Sequence, residues 1–246
     1  MEEICKLIIL FVVGAFASFI NVNAGGGSSL TLPALIFIGL ESAVANGTNR
    51  IGLILQNIFA VSSFHSQKFA SFKLSLSLAM VTLPGAIIGA FASTRIPNEW
   101  FHRILAIVII GIVISMFFKP RYEGNLLEGD KKSKWLFPAL FGIGFYGGFI
   151  QVGVGFILMA CLYHLLRVNL VKVNMHKVFI VLIYTLPALA VFIYTGNVNW
   201  KYGITLAAGM SVGGWWGARM AVKGGETAIR AILAIALIIM SIKLIT

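Results

Sequence analysis

The chain has 246 residues, of which 59% are hydrophobic and only 11% are charged. A soluble globular domain carries about 25% charged residues, so this composition cannot supply the polar surface that such a domain needs. It excludes a soluble enzyme, a nucleic-acid-binding module and a disulfide-stabilised secreted fold. The formal net charge of +11 would indicate a nucleic-acid partner in a soluble protein. Here we attribute it to membrane topology and expect a lipid bilayer as the partner, with no nucleic acid.

Apolar stretches separated by short polar breaks predict an all-α integral membrane protein. Ten such segments follow one another, at residues 4–23, 28–40, 43–64, 72–94, 98–118, 135–152, 154–166, 170–195, 199–222 and 226–245. The second and seventh are too short to span comfortably, because a spanning helix needs about 20 residues. Each follows a glycine-rich break, so each is either a short tilted helix or the return arm of a re-entrant hairpin.

The basic residues favour one side of this topology. Assigning the loops to alternate sides places thirteen Lys and Arg residues on one side and six on the other. By the positive-inside rule the richer side is cytoplasmic. We therefore expect a multi-pass protein of the cell (inner) membrane with both termini outside. Residues 119–134 then form a cytoplasmic linker between a first membrane repeat, residues 1–118, and a second, residues 135–246.

The two halves superpose when the sequence is shifted by 128 positions. The glycine and asparagine matches include Gly14 with Gly142, Gly25 with Gly153, Gly27 with Gly155, Asn46 with Asn174, Gly85 with Gly213, and Gly89 with Gly217. The last two pairs form a Gly-xxx-Gly spacing in each half, which predicts close helix packing. Because each half has five segments, an odd number, the second copy enters from the opposite face. Two inverted repeats with short, Gly-interrupted segments are typical of secondary transporters, whose site lies near the midplane at the repeat interface.

All eight acidic residues lie at termini, in loops or at segment ends. Cation-coupled transporters usually bury Asp or Glu within their spans, so this distribution argues against cation transport. The polar groups in the spans are neutral or cationic, which suits a small anionic substrate. The predicted substrate-binding residues are Asn23, Gly25, Gly26, Gly27, Ser28, Ser29, Asn49, Arg50, Gln151, Gly153, Gly155, His176 and Lys177.

The glycine breaks are the strongest single feature of this set. Glycine lets the backbone approach a ligand closely, and the helix that starts near Ser28 exposes N–H groups and a partial positive charge. We expect the N–H groups of residues 27–29 and 155–156 to meet the anion. Asn23 and Gln151, which match in the repeat, would donate from the sides. Tight helix packing or a hinge is the other interpretation of the breaks.

Three cationic or titratable residues lie inside predicted spans. Arg50 and Lys177 are either functional buried charges or side chains that reach the membrane interface. His176 is either a proton carrier or a hydrogen-bonded packing residue. The four histidines show no metal-ligand spacing, so neither a metal nor another cofactor is expected.

The motifs resemble those of a known family. A Gly-rich run followed by Leu-x-x-Pro within Gly25–Leu35, and then Ala-x-Gly-Thr-Asn at Ala45–Asn49, is similar to the TauE/SafE sulfite exporter family. The resemblance covers nearly the whole chain. It implies an integral-membrane permease for sulfur-containing anions such as sulfite, organosulfonates or sulfoacetate. In the second half His176-Lys177 replaces the Thr-Asn element, so the two half-sites differ.

The sequence therefore predicts a secondary transporter that exports a small sulfur-containing anion. An anion channel stays open as an alternative because it could share every feature above. A membrane-embedded enzyme would need clustered acids with a metal, or a nucleophile beside a base. The spans offer neither, so no catalytic residue is expected. A structural subunit would have no evident need for an internal repeat, and a homodimer stays open.

Overall fold

The structure of the protein is a computed structural model that describes residues 2–67, 72–117, 134–166 and 170–223. All regular secondary structure within these ranges is α-helical. The helices are α1 (Glu2–Ala24), α2 (Ser28–Phe37), α3 (Ser42–Ser66), α4 (Phe72–Ser93), α5 (Asn98–Phe117), α6 (Leu136–Phe149), α7 (Val154–Leu166), α8 (Leu170–Tyr194) and α9 (Trp200–Lys223). They match the first nine predicted segments in order. The tenth segment, and the linker except for Lys134, lie outside the described residues.

Two breaks in the chain are built on left-handed backbone. Between α1 and α2, Gly25 has φ = 91°, and between α6 and α7, Gln151 and Gly153 have φ = 60° and 75°. Glycine adopts this region without steric penalty, whereas residues with a Cβ rarely do. The helices that follow, α2 with 10 residues and α7 with 13 residues, are shorter than a spanning helix requires. The glycines therefore divide the chain as the sequence predicts.

Glycines also set the packing of α4 on α6. A Cβ placed on Gly85 would clash with the carbonyl oxygen of Phe141, and one on Gly89 would clash with that of Phe145. Because both contacts advance by four residues in the same direction, the two helices run parallel. The predicted role of this Gly-xxx-Gly pair in helix packing is confirmed.

The matching glycines on α9 pack against α1 in the same way. A Cβ on Gly213 would meet the carbonyl oxygen of Ala15, and one on Gly217 would lie 3.0 Å from that of Phe19. This second helix pair is also parallel. Each pair joins the first helix of one half to the fourth helix of the other.

Between these pairs, α3 and α8 pack side by side in opposite directions. Near the start of α3, the Arg50 guanidinium carbon lies 4.7 Å from the centroid of the Phe192 ring, near the end of α8. Near the end of α3, Phe64 shares an apolar cluster with Met175 and Val178 from the first half of α8. Both helices contain 25 residues. The middle of α3 therefore faces the middle of α8.

The exterior of the bundle is apolar. Three stretches in the described residues are long and apolar enough to cross a membrane, and they belong to α1 (Glu2–Asn23), α4 (Lys73–Ser93) and α8 (Val171–Tyr194). Only 28% of the apolar window in the first stretch is buried inside the protein. Outward-facing apolar side chains are stable in lipid, where helices satisfy their own backbone hydrogen bonds. The structure therefore agrees with a membrane environment.

Candidate functional site

A small polar cavity lies where the two chain breaks meet α3 and α8. Its volume is about 20 Å³, which is room for one or two water molecules. Its polar lining consists of Asn21, Ser28, Gln56, Asn57, Gln151, Lys177 and Tyr184, and its remaining lining of Leu53, Val154, Gly155, Val178 and Val181. Leu53 and Val181 lie near the middle of α3 and α8. The cavity is therefore at mid-depth in the bundle.

Lys177, on α8, supplies the positive charge in the cavity wall. Its Nζ donates to the backbone carbonyl oxygens of Asn21 at 3.1 Å and Val22 at 2.9 Å, and to Asn174 Oδ1 at 2.8 Å. Asn21 and Val22 lie in the last turn of α1, where the carbonyls carry partial negative charge, and the Asn21 carbonyl also accepts from the Gly25 N–H at 2.9 Å. Lys177 is only 3% exposed. It therefore caps the end of α1 from within the bundle, and does not reach the membrane interface.

Arg50, on α3, has the corresponding role at the end of α6. Its Nη1 donates to the Gly147 carbonyl at 3.3 Å and to Gln151 Oε1 at 3.0 Å, and its Nη2 donates to the Gly148 carbonyl. The residue is completely buried but is not among those that line the cavity. Arg50 therefore fixes the end of α6 and the break that follows it.

Three of the four amide side chains in the wall have their oxygens engaged by the protein, while the fourth, Asn57, donates to the Leu53 carbonyl at 2.7 Å. Asn21 Oδ1 accepts from the Gly27 N–H at 3.2 Å, and Gln56 Oε1 accepts from Asn21 Nδ2 at 3.2 Å. Gln151 Oε1 accepts from Arg50 at 3.0 Å. The acceptor oxygens of three wall amides are thus engaged by protein donors. The lining also contains the hydroxyl groups of Ser28 and Tyr184, while the N–H groups of Lys177 donate to protein acceptors, so Lys177 contributes positive charge. Amide N–H groups, hydroxyls and a positive charge are the groups that stabilise an anion.

Three of the five backbone N–H groups predicted to meet an anion are engaged elsewhere. Besides the Gly27 N–H, the Ser29 N–H donates to the Gly26 carbonyl at 3.0 Å, and the Phe156 N–H donates to the Gly153 carbonyl at 3.0 Å. The reason is local, because the first turn after each break closes with tight i→i−3 bonds. At the helix starts themselves, Ser28 and Gly155 do line the cavity.

Four of the thirteen predicted site residues line the cavity, namely Ser28, Gln151, Gly155 and Lys177. The others lie outside its lining, and these are Asn23, Gly25, Gly26, Gly27, Ser29, Asn49, Arg50, Gly153 and His176. Gly25 and Gly27 shape the first break, since a Cβ on either would collide with neighbouring backbone. The glycine breaks thus shape the backbone behind the cavity, and of the predicted glycines only Gly155 is in its lining.

Asn23 and His176 are held in contacts away from the cavity. The Asn23 amide donates to the Phe19 carbonyl at 2.8 Å and to the Gly217 carbonyl at 3.1 Å, so it joins α1 to α9. His176 Nδ1 lies 2.7 Å from Ser75 Oγ and joins α8 to α4. Asn23 therefore lies outside the cavity that its sequence match Gln151 lines.

Four polar wall residues were absent from the predicted set, and these are Asn21, Gln56, Asn57 and Tyr184. A signal for two of them was present in the sequence, because Gln56 and Tyr184 are separated by the 128-residue repeat shift. Both are polar residues near the middle of long apolar helices. A pair of matched polar positions at mid-helix would have indicated the cavity without a structure.

The fold and this cavity define the class of protein, which is a helical membrane protein with a polar pocket between broken helices. The sulfite exporter TauE/SafE family model matches residues 10–244, and the chain belongs to this family of membrane transporters. It is 31% identical over 245 residues to a probable membrane transporter protein of Haemophilus influenzae, covering 97% of this chain and 94% of the relative.

Two further relatives have similar names. The probable membrane transporter protein YfcA of Escherichia coli K12 is 30% identical over 243 residues, which cover 96% of this chain and 88% of the relative. The probable membrane transporter protein ORF9 of a Sinorhizobium species is 29% identical over 241 residues, covering 97% and 92%. No solved structure matches the chain.

Proposed function

We propose that the chain is a secondary transporter that binds a small sulfur-containing oxyanion, such as sulfite or an organosulfonate, in the mid-depth cavity. The observation that carries this proposal is the composition of the wall. It contains the Lys177 ammonium and several oriented neutral donors, and none of its described residues is Asp or Glu. A net positive, donor-rich wall at mid-depth stabilises an anion and disfavours a cation. The proposal takes its substrate class from the name of the family.

The ends of four helices add to this electrostatic preference. Ser28 and Val154, which start α2 and α7, both line the cavity, so two partially positive N-termini face it. The opposing C-terminal ends of α1 and α6 are capped by Lys177 and Arg50. The caps offset the partial negative charge that those ends would otherwise direct toward the same place. The balance of helix ends therefore favours an anion.

The cavity is small, about 20 Å³, and lies between helices that the repeat matches, as the substrate site of a carrier does. An anion channel is the alternative, since it would use the same donors in a continuous pore.

The inverted repeat is part of the proposal. In its support, α3 and α8 are antiparallel, have 25 residues each, and start at positions 128 apart. The cavity is lined by Leu53 with Val181 and by Gln56 with Tyr184, and both pairs are related by this shift. In transporters built from inverted repeats, the substrate binds between the repeats near the midplane. Alternating access would then exchange the roles of residues 1–118 and 135–246.

We also propose that the protein lies in the inner membrane with residues 119–134 in the cytoplasm, and that it exports its anion. The charge asymmetry supports the orientation. In further support, Glu3 Oε1 accepts from Lys201 Nζ at 2.7 Å, which joins the start of α1 to the start of α9. Both residues lie on the side to which the loop assignment gives only six basic residues, which is the proposed outer side. Export is the easier direction, because an inside-negative potential drives anions outward.

Counterflow in proteoliposomes tests this function. Vesicles loaded with unlabelled sulfite under anaerobic conditions should accumulate labelled sulfite transiently, because a carrier exchanges one anion for another. Sulfoacetate and taurine, tested as competitors, would define the substrate class. Saturable exchange with transient accumulation of the label supports a carrier. Rapid equilibration without counterflow would establish a channel, and no flux of any of these anions would contradict the proposal.

A further inference from the structure

Tyr184 carries a buried hydroxyl group that no contact in the fold explains. The residue lies in the cavity wall and is completely buried. Its hydroxyl has no hydrogen-bond partner in the part of the chain that the structure describes. Burial of an unsatisfied hydroxyl destabilises a protein, whereas phenylalanine would fill the same space without this penalty.

A partly buried tyrosine shows how this fold satisfies such a group. The Tyr146 hydroxyl, on α6, donates to the Val152 carbonyl at 2.6 Å and so secures the second chain break. The Tyr184 hydroxyl instead lies against Gly147, since a Cβ placed on Gly147 would be 2.7 Å from its oxygen. Its position therefore depends on a residue without a side chain. Tyr184 lines the cavity and the described residues leave its hydroxyl without a partner, as expected of a group that contacts a ligand.

The opposite wall provides the matching donor. Gln56 is the repeat equivalent of Tyr184, and its Oε1 accepts from Asn21 Nδ2 at 3.2 Å. With its oxygen engaged, the Gln56 amide offers hydrogens to the cavity. One donor therefore comes from α3 and one from α8, on two sides of a single cavity. An oxyanion, which has oxygens in several directions, can accept from both at once, and Lys177 supplies the compensating charge.

We propose that the Tyr184 hydroxyl donates a hydrogen bond directly to the transported oxyanion, so that Tyr184 is a substrate-contacting residue. This inference rests on the proposed function. It predicts that the Tyr184→Phe substitution weakens anion binding without lowering the stability of the ligand-free protein. The substitution removes a single oxygen atom that has no protein partner. The fold therefore loses nothing, while the bound anion loses a donor.

The test compares purified parent protein, Tyr184→Phe and Tyr202→Phe in detergent. Tyr202 provides the matched control, because its hydroxyl donates to Glu3 Oε2 at 3.2 Å, at the start of α1 and away from the cavity. Sulfite and sulfoacetate are titrated calorimetrically, and the melting temperature is measured without ligand. We expect Tyr184→Phe to bind about 10- to 100-fold more weakly, the effect of losing a hydrogen bond to a charged group. Its ligand-free melting temperature should equal or exceed that of the parent. Tyr202→Phe should bind like the parent.

The outcomes separate this inference from the proposed function. If the parent binds and Tyr184→Phe binds equally well, Tyr184 is not a ligand and the proposed function stands without it. If Tyr184→Phe melts well below the parent, the hydroxyl has a structural role and the inference is wrong. If the parent binds neither anion, the proposed function fails and the inference fails with it.

Discussion

Gly25 and Gly155 lie backbone to backbone, so that a Cβ on Gly25 would be 2.5 Å from the Gly155 carbonyl carbon and 2.8 Å from the Phe156 nitrogen. This contact joins the two chain breaks, which are separated by 130 positions in the sequence. It brings the starts of α2 and α7 to the same cavity. The absence of side chains at both positions is therefore what allows the two broken helices to meet.

The first prediction concerns this contact. Gly155→Ala should destabilise the protein by about 1–3 kcal/mol, the usual effect of overpacking a core, because its Cβ would collide with Gly25 backbone atoms. Gly142→Ala is the matched control, since no heavy atom lies within 4 Å of its Cβ position. That helical substitution should be neutral or stabilising by up to about 1 kcal/mol. Thermal unfolding in detergent measures both, and equal melting temperatures would contradict the packing described here.

The second prediction separates the two buried cations. Arg50→Met leaves the Gly147 and Gly148 carbonyls and Gln151 Oε1 without their donor. Each buried acceptor left unsatisfied destabilises by about 1–3 kcal/mol, so the melting temperature should fall by several degrees. Arg219→Met, at an exposed position on α9, should melt like the parent. A stable Arg50→Met protein that has lost anion binding would instead place Arg50 in the substrate site.

The third prediction concerns orientation. Asn125→Cys, made in a background with Cys5→Ser and Cys161→Ser, should react with a membrane-impermeant maleimide only when the cytoplasmic face is accessible. The reason is the thirteen-to-six division of basic residues. The parent Cys5, which is exposed at the start of α1, is the control and should react from outside. Labelling of Asn125→Cys in intact cells would reverse the proposed orientation of the whole chain.

The fourth prediction concerns energetics. Movement of one charge across 100 mV is worth about 2.3 kcal/mol, which corresponds to roughly a 50-fold concentration ratio for a monoanion. In proteoliposomes, an imposed potassium diffusion potential should therefore drive sulfite toward the positive side without a sodium or proton gradient. Protein-free liposomes give the leak rate. Flux that requires one of those gradients would show coupled transport and contradict export driven by the membrane potential alone.

The sequence predicts the breaks well because glycine is a local signal. A residue with φ near 91°, as at Gly25, needs no distant neighbour to explain it. The partners of Arg50 and Lys177 could not be predicted from local sequence, because each residue caps a helix from the other half of the chain. The N–H groups of Ser29 and Phe156 were predicted to be available, but local turn closure engages both.

The most direct test of the central claim is the anion affinity of Lys177→Met, compared with Lys177→Arg and Lys201→Met, in folded, purified protein. Lys201 is the control because it is an exposed lysine paired with Glu3. If the cavity is the substrate site, Lys177→Met should bind sulfite at least about 10-fold more weakly than the parent, because the positive charge in the cavity wall is lost. Lys177→Arg should retain part of the affinity and Lys201→Met all of it. A folded Lys177→Met protein that binds sulfite as tightly as the parent would show that the anion binds elsewhere.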